Sequence, residues 1–334
     1  MRSPVLGVEG AVEAEFPDVG VAAHYGDPYA EQRALADSAG VVDRSNRDVV
    51  MISGPDRLSW LNSLSTQKID DLAPGAAAET LILSPHGHVE HHLSLVDDGT
   101  RTLIHVEPGE AEQLVEFLNS MRFMLRVEVA DMSAEYAVVT AAGPEARSAL
   151  DGPVLPDFGF GIDLFTERAD VRTTIDVLRE KGFTLAGMWA HEALRIAGHR
   201  ARFGTDTDHR TIPHEVGWIE SAVHLNKGCY RGQETVARVH NLGHPPRRLV
   251  LLQLDGTEDL LPPHGEAVLR DGEKVGFVGS SARHYEFGPI ALALVKRTVP
   301  VSATLEAAGI SAAQEVIVPP DAGANVKITL RRRP

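Results

Sequence analysis

The chain has 334 residues, with 32 Lys and Arg against 47 Asp and Glu, a formal net charge of −15 and 43% hydrophobic residues. The acidic excess excludes a surface built for non-specific binding to nucleic acid or anionic membrane, and the hydrophobic fraction excludes disordered and fibrous classes. The length predicts two domains or three. The single cysteine, Cys229, rules out a disulfide framework within the chain, and any cysteine-bound metal would need other residue types as well.

Near the start, Val5, Leu6 and Val8 are interrupted by Glu9, Glu13 and Glu15, so no signal-peptide core forms. No stretch reaches the ~18–20 apolar residues of a membrane span. A cytoplasmic protein is the expectation, and no oligomer signal stands against a monomer. Asp27-Pro28 reads as an N-cap followed by proline at the first helical position, with Leu35, Ala36 and Ala39 as the apolar side and Gly40 as the stop. Short strands at 41–42 and 49–52 follow, and Gly54-Pro55 opens a helix carrying Leu58, Leu61 and Leu64. A hairpin comes next: a strand at 80–83, a turn at Ser84-Pro85-His86-Gly87, a return at 89–96, and a second turn into 102–106.

Leu114, Val115 and Leu118 mark a helix, 125–129 and 136–140 read as strands, and Pro144 opens a further helix. After a loop rich in Gly and Pro come helices carrying Val171, Ile175 and Leu178, then Trp189, Ala193 and Leu194. That order predicts a mixed α+β region over 1–246, not a doubly wound parallel sheet. From 247 to 334 the texture changes to short apolar runs at 249–254, 267–269, 275–278, 290–295, 316–318 and 326–330, separated by Gly, Pro and Asp. Those runs predict a C-terminal β-barrel.

Three segments carry residues suited to chemistry. In Lys227-Gly228-Cys229-Tyr230-Arg231-Gly232-Gln233-Glu234, the cysteine lies just before a predicted helix at 234–239 and between two cations. That setting favours the thiolate. An inert cysteine buried in a tight loop is the other reading. His86, His88, His91, His92 and Glu90 resemble metal ligands by density. Strand alternation splits them, however, with His91 on the side of Val89 and Leu93 and His92 opposite, so pocket-lining histidines are favoured over a closed metal site. Asp163 follows Phe158-Gly159-Phe160-Gly161 and suits the amino-pyrimidine edge of a heterocycle, or is an exposed turn residue. Arg247 and Arg248 are candidates to face an anionic ligand, and the arginines at 331–333 read as a solvated tail.

The octapeptide from Lys227 to Glu234 resembles the signature of the YgfZ family of folate-binding proteins, relatives of the glycine-cleavage T-protein, a folate-dependent aminomethyltransferase. Gly40-Val41-Val42-Asp43, Ile52-Ser53-Gly54-Pro55-Asp56, the hairpin at 80–96 and Leu194-Arg195-Ile196 fall in the same order as in that family. The resemblance implies an α+β cloverleaf of three domains around a channel for tetrahydrofolate, with the β-barrel at the C-terminus. It sets Cys229, Lys227 and His91 as the reactive residues, with His91 and His92 standing where T-proteins carry an acidic pair. It sets Asp163, His191, Tyr230, Arg231, Gln233, Glu234 and Arg248 as folate-binding, with Arg231, Arg238, Arg247 or Arg248 at the channel mouth for the anionic tail. The function it implies is accessory to iron–sulfur cluster assembly or repair in client enzymes. The alternatives are one-carbon transfer with a histidine in the acid's place, and an adaptor that has lost its ligand.

Overall fold

The computed structural model describes residues 2–150, 155–156, 161–257 and 260–323. Phe158 to Phe160, the expected strand at 326–330 and the arginines at 331–333 lie outside the described residues.

The first helix, Pro28–Asp37, begins as its sequence dictates: Asp27 Oδ1 accepts from the backbone N–H groups of Tyr29 and Ala30 at 3.1 and 3.0 Å, with Pro28 at the first position. It ends before Gly40, which instead starts the strand Gly40–Asp43. The hairpin grows into a five-stranded antiparallel sheet, in the order Ala77–Leu83, Val89–Asp97, Arg101–Val106, Asp48–Ser53, Glu128–Asp131. Along Val89–Asp97 burial alternates residue by residue. Leu93 and Leu95 enter a core with Trp60 and Leu61 from the helix Arg57–Leu64, and with Leu114 and Leu118 from the helix Ala111–Ser120. His92 and Ser94 therefore look the other way, toward the middle of the molecule.

The strand expected at 125–129 begins later, at Glu128, because Phe123 and Met124 form an exposed turn, 84% and 97% accessible. A second five-stranded sheet orders Leu155–Pro156, Gly161–Glu167, Tyr136–Ala142, Gly40–Asp43 and Thr184–Ala186, with only the last pair parallel. The helix Val171–Glu180 covers it through Val171, Ile175 and Leu178.

The C-terminal strands close a six-stranded barrel, in which Arg247–Leu254 pairs with both Gly288–Lys296 and Ile310–Val316. Leu305–Ala307, too short to stand out in the sequence, completes the ring between Ala267–Arg270 and Ile310–Val316. The last described strand, Ile310–Val316, reaches only the start of the expected 316–318, and Val318 lies beyond its end, buried in the central core. Alternation again divides labour. Val250 and Leu252 fill the barrel, while Leu249 and Leu251 join Trp218, Tyr230, Val236, Ala193 and Leu83 in that central core.

Candidate functional site

The two sheets, the helix Met188–Ala197 and the loop after it meet around a cavity of ≈ 90 Å³. Five arginines (44, 47, 195, 200 and 202) and five carboxylates (Asp18, Glu79, Glu107, Asp163 and Glu192) line it, so the walls balance in charge.

Asp163, on the strand Gly161–Glu167, is the hub of one wall. Its Oδ1 accepts from Arg44 Nη1 at 3.1 Å and Thr140 Oγ1 at 2.5 Å, and its Oδ2 pairs with His105 Nε2 at 2.9 Å. Burial alone would raise the Asp163 carboxyl, but Arg44 and His105 outweigh it and hold the group far below the usual carboxylate range. Arg47 Nε donates to His105 Nδ1 at 2.8 Å. The imidazole is thereby fixed as an acceptor at Nδ1 and a donor at Nε2. Burial first and Arg47 second push it down to about 4, so it is neutral at pH 7. Arg47 also grips Glu107 at 2.6 Å, and Arg202 joins Glu107 at 2.8 Å to both oxygens of Asp18 at 2.8 Å each. Glu107 stays ionised because Arg202 and Arg47 overcome its burial.

The opposite wall carries a second pair. Glu79 accepts from His92 Nε2 at 2.5 Å and from Arg200 at 3.2 Å, and the His92 ring stacks on Trp218 with centroids 4.5 Å apart. Burial would raise the Glu79 carboxyl; His92 and Arg200 bring it down to about 2. A buried carboxylate holding a histidine that faces a cavity is an arrangement suited to proton transfer.

Asp163 and His191 of the expected site line this cavity; the remaining expected residues do not. His91 falls on the core face of its strand, near Phe117 and 3.6 Å from Glu110, so His92 is the histidine at the cavity. Lys227 Nζ donates to the carbonyls of Asn62, Ser65 and Gln67 at 2.6–2.7 Å and so closes off the end of the helix Arg57–Leu64. Burial pushes its ammonium down to about 8. Tyr230 belongs to the central core, where burial pushes its phenol up to about 12. Arg231 pairs with Glu90 at 2.8 Å over the Phe117 ring, and Gln233 reaches back to the carbonyls of Lys227 and Gly228. Glu234 is exposed in the first turn of the helix Gln233–Leu242.

Arg248 points into the barrel, where Nη2 donates to Val299 O and Gln314 Oε1. Arg247 is held by Asp208 and Glu215. The cations of the cavity are instead Arg44 and Arg47 from the turn after Gly40–Asp43, Arg195 from the helix Met188–Ala197, and Arg200 and Arg202 from the loop after it. Glu79 had one signal: a lone carboxylate beside the apolar run of the hairpin's first strand.

The octapeptide acts here as a clamp. A Cβ on Gly232, whose φ is +82°, would lie 2.6 Å from Ser84 O and 3.0 Å from Gly87 Cα, so the hairpin turn and the start of the last helix meet backbone to backbone. Gly232→Ala is expected to cost about 1–3 kcal/mol through that overlap and the left-handed conformation. Gly228→Ala, with no atom within 4 Å of the new carbon, should stay within about 0.5 kcal/mol of the parent. Urea melts of the two variants compare them directly.

With this geometry in place, the relatives can be set beside it. Residues 8–159 match the GCVT N-terminal domain and residues 247–334 the glycine cleavage T-protein C-terminal barrel domain. The chain therefore carries both domains of the glycine cleavage T-protein family, in that family's order. An aminomethyltransferase of Rippkaea orientalis is 28% identical over 306 residues, covering 80% of this chain and 81% of the relative. One of Thermotoga petrophila is 26% identical, covering 90% of each. The crystal structure of the glycine cleavage system aminomethyltransferase T from Bartonella henselae superposes with a TM-score of 0.79 at 17% identity, over 92% of this chain and 93% of that one. The fold is the α+β aminomethyltransferase fold with its closed six-stranded barrel. Among the described residues, no helix is long and apolar enough to cross a membrane.

Proposed function

We propose that the central cavity receives a reduced folate and that the chain is a folate-dependent one-carbon transferase of the aminomethyl class, with His92 as its proton-transfer group. The observation that carries this reading is the Glu79–His92 pair, which faces the same cavity as Asp163. A bound reduced folate supplies the nitrogen that carries the one-carbon unit. Glu79, held ionised, orients the imidazole and stabilises it when it takes a proton from a substrate amine. Asp163 has about four lone-pair directions, of which protein donors use three, leaving one for an N–H on the edge of a pterin ring.

The open volume of ≈ 90 Å³ is well below the roughly 300–1,000 Å³ of a pocket for a ligand of that size. Entry therefore requires side chains that line the cavity to move apart.

Tetrahydrofolate is expected to bind the reduced protein saturably and at least ~10-fold more weakly to Asp163→Asn, because one acceptor is then replaced by a donor. His92→Gln should keep binding within a few-fold and lower methylene transfer from a small amine donor about 100-fold. Absence of saturable binding removes folate, and unchanged turnover removes His92.

One observation favours a second reading, an accessory role toward iron–sulfur enzymes of the kind implied by the YgfZ resemblance. Cys229 is free and exposed and does not line the cavity, which leaves it accessible to a client protein. On that reading Cys229→Ser leaves folate binding intact and lowers the activity of client iron–sulfur enzymes in cells. Unchanged client activity rules it out.

A further inference from the structure

In the barrel strand Glu273–His284, the pairing with Gly288–Lys296 slips between Val278 and Ser281. That bulge brings Gly279 and Ser280 against Asp206, in the loop after the helix Met188–Ala197. A Cβ on Gly279 would lie 2.8 Å from Asp206 Cα, so a side chain there would keep the two segments apart. Ser280 is buried; its Oγ donates to Asp206 Oδ1 at 2.7 Å and accepts from Arg195 Nη2 at 2.6 Å. Arg195 lines the cavity, and all five of its N–H groups are engaged. Nε and Nη2 hold the two oxygens of Glu192 at 2.9 and 2.7 Å, Nη1 holds Asp206 Oδ2 at 2.8 Å and the carbonyl of Arg200, and the second Nη2 N–H goes to Ser280. The same guanidinium thus fixes Glu192 and the main chain at Arg200, whose own side chain holds Glu79 at 3.2 Å. Glu192 and Glu79 both line the cavity.

We propose that Ser280 is a positioning residue: through its hydroxyl the barrel keeps Arg195 turned toward Glu192, and so sets the polar groups that the cavity presents to its ligand. The identity of that ligand rests on the folate reading above; the placing of the side chains does not. Two carboxylates compete here for one guanidinium, since a side-on pair with either Asp206 or Glu192 uses the same fork. Ser280 fills the gap between Nη2 and Asp206 Oδ1, so Asp206 takes one N–H and Glu192 takes two. Without the hydroxyl, Nη2 and Oδ1 each lose a buried partner, and the guanidinium recovers both bonds by turning to Asp206 at the expense of Glu192. Asp206 is anchored against the reverse movement by the backbone N–H of Arg202, 2.8 Å from its Oδ2.

His191, which also lines the cavity, senses such a turn. The charged groups that act on its ring are Arg44, Glu192 and Arg195, and Nδ1 lies 3.3 Å from Glu192 Oε1. Burial, then Arg44 and Arg195, keep the imidazole below its ordinary value, while Glu192 opposes them. Arg195 turned away from Glu192 leaves more of the carboxylate's charge acting on the imidazole, which then titrates at higher pH.

The His191 ring is followed by NMR through a pH titration of the full-length protein without folate, its signal assigned by its loss from His191→Gln. In Ser280→Ala the midpoint is expected at least ~0.5 pH unit above the parent's. Ser281→Ala is the control: that hydroxyl donates to the carbonyl of Pro262 instead, so its loss should leave the midpoint in place. A serine that only fastened the barrel to the loop would lower the Tm of Ser280→Ala without moving the midpoint, and that result overturns the positioning role. Ser280→Cys keeps the shape with a weaker donor, so it should fold and show a smaller shift in the same direction. If Ser280→Ala does not fold, an unmoved midpoint in Ser280→Cys overturns the role in its place. Tetrahydrofolate, titrated by calorimetry, should bind Ser280→Ala at least ~5-fold more weakly than the parent, and Ser281→Ala as tightly. Equal binding to the parent and Ser280→Ala overturns the role toward the ligand. No binding to the parent overturns the folate reading, and the His191 midpoint still decides the role of Ser280.

Discussion

Arg202→Met is expected to lower the free energy of unfolding by about 3–5 kcal/mol, read from urea melts with an unchanged m-value. The Arg202 side chain is 4% accessible, holds Asp18 with both Nη atoms and Glu107 with Nε, and lies 3.5 Å from Glu192. Methionine fills a similar volume without a charge. Among the described residues, Asp18 is then left with Asn46 alone and Glu107 with Arg47, each buried with fewer hydrogen-bond donors. Burying a carboxylate short of a partner is far more costly than losing a solvated pair. Arg172→Met, which removes an exposed pair with Asp176 on a helix surface, should show no measurable change. Equal effects of the two variants would mean that the buried network adds nothing to stability.

The second large effect is a loss of stability in mild acid. His105 is pushed from its ordinary 6.5 down to about 4, so the folded state prefers it neutral more strongly than the unfolded chain does. That contribution is fully present above pH 6.5 and is lost as the pH falls toward 4, at up to about 1.4 kcal/mol per pH unit. The cause is geometric. A proton on Nδ1 would face the Arg47 Nε–H that now donates to it. Asp163 and Glu107 act in a separate window, because their carboxyls are held low, and their contribution disappears only as the pH falls below about 4.

Denaturation midpoints measured from pH 7.5 to 4 should therefore fall well before Asp163 and Glu107 protonate. His105→Gln keeps an acceptor for Arg47 and a donor for Asp163 without a titrating ring, so its slope should be shallower by about one proton. A slope identical to the parent's would show that His105 is not held neutral. His214, also near 4, accounts for part of the slope that remains.

Much of this architecture was legible because it rests on local periodicity. The alternation along Val89–Asp97 and the short apolar runs after 247 announced the hairpin and the barrel, and Asp27-Pro28 announced the first helix. Asp163, singled out by its place after a glycine- and aromatic-rich stretch, and His191, named through the family resemblance, both line the cavity. Arg44, Arg202 and Glu79 were not legible, since they stand in three segments far apart along the chain and meet only when two sheets and a helix enclose the cavity. Strand parity separates His91 from His92, but which face of the strand meets the helical layer is decided by Trp60, Leu114 and Leu118, far along the chain. The octapeptide stood out by composition, yet its lysine, tyrosine and second glycine serve as fastener, core residue and contact point.

The strand Arg247–Leu254 belongs to two interiors at once, with Val250 and Leu252 inside the barrel and Leu249 and Leu251 outside it. The outward leucines, together with Leu292 and Leu294, form part of the same apolar body as Trp218 and Tyr230. Cutting the chain before Arg247 would bare that seam on both fragments. The barrel is thus no detachable module, and its melting is expected to follow that of the helices it covers, in a single transition.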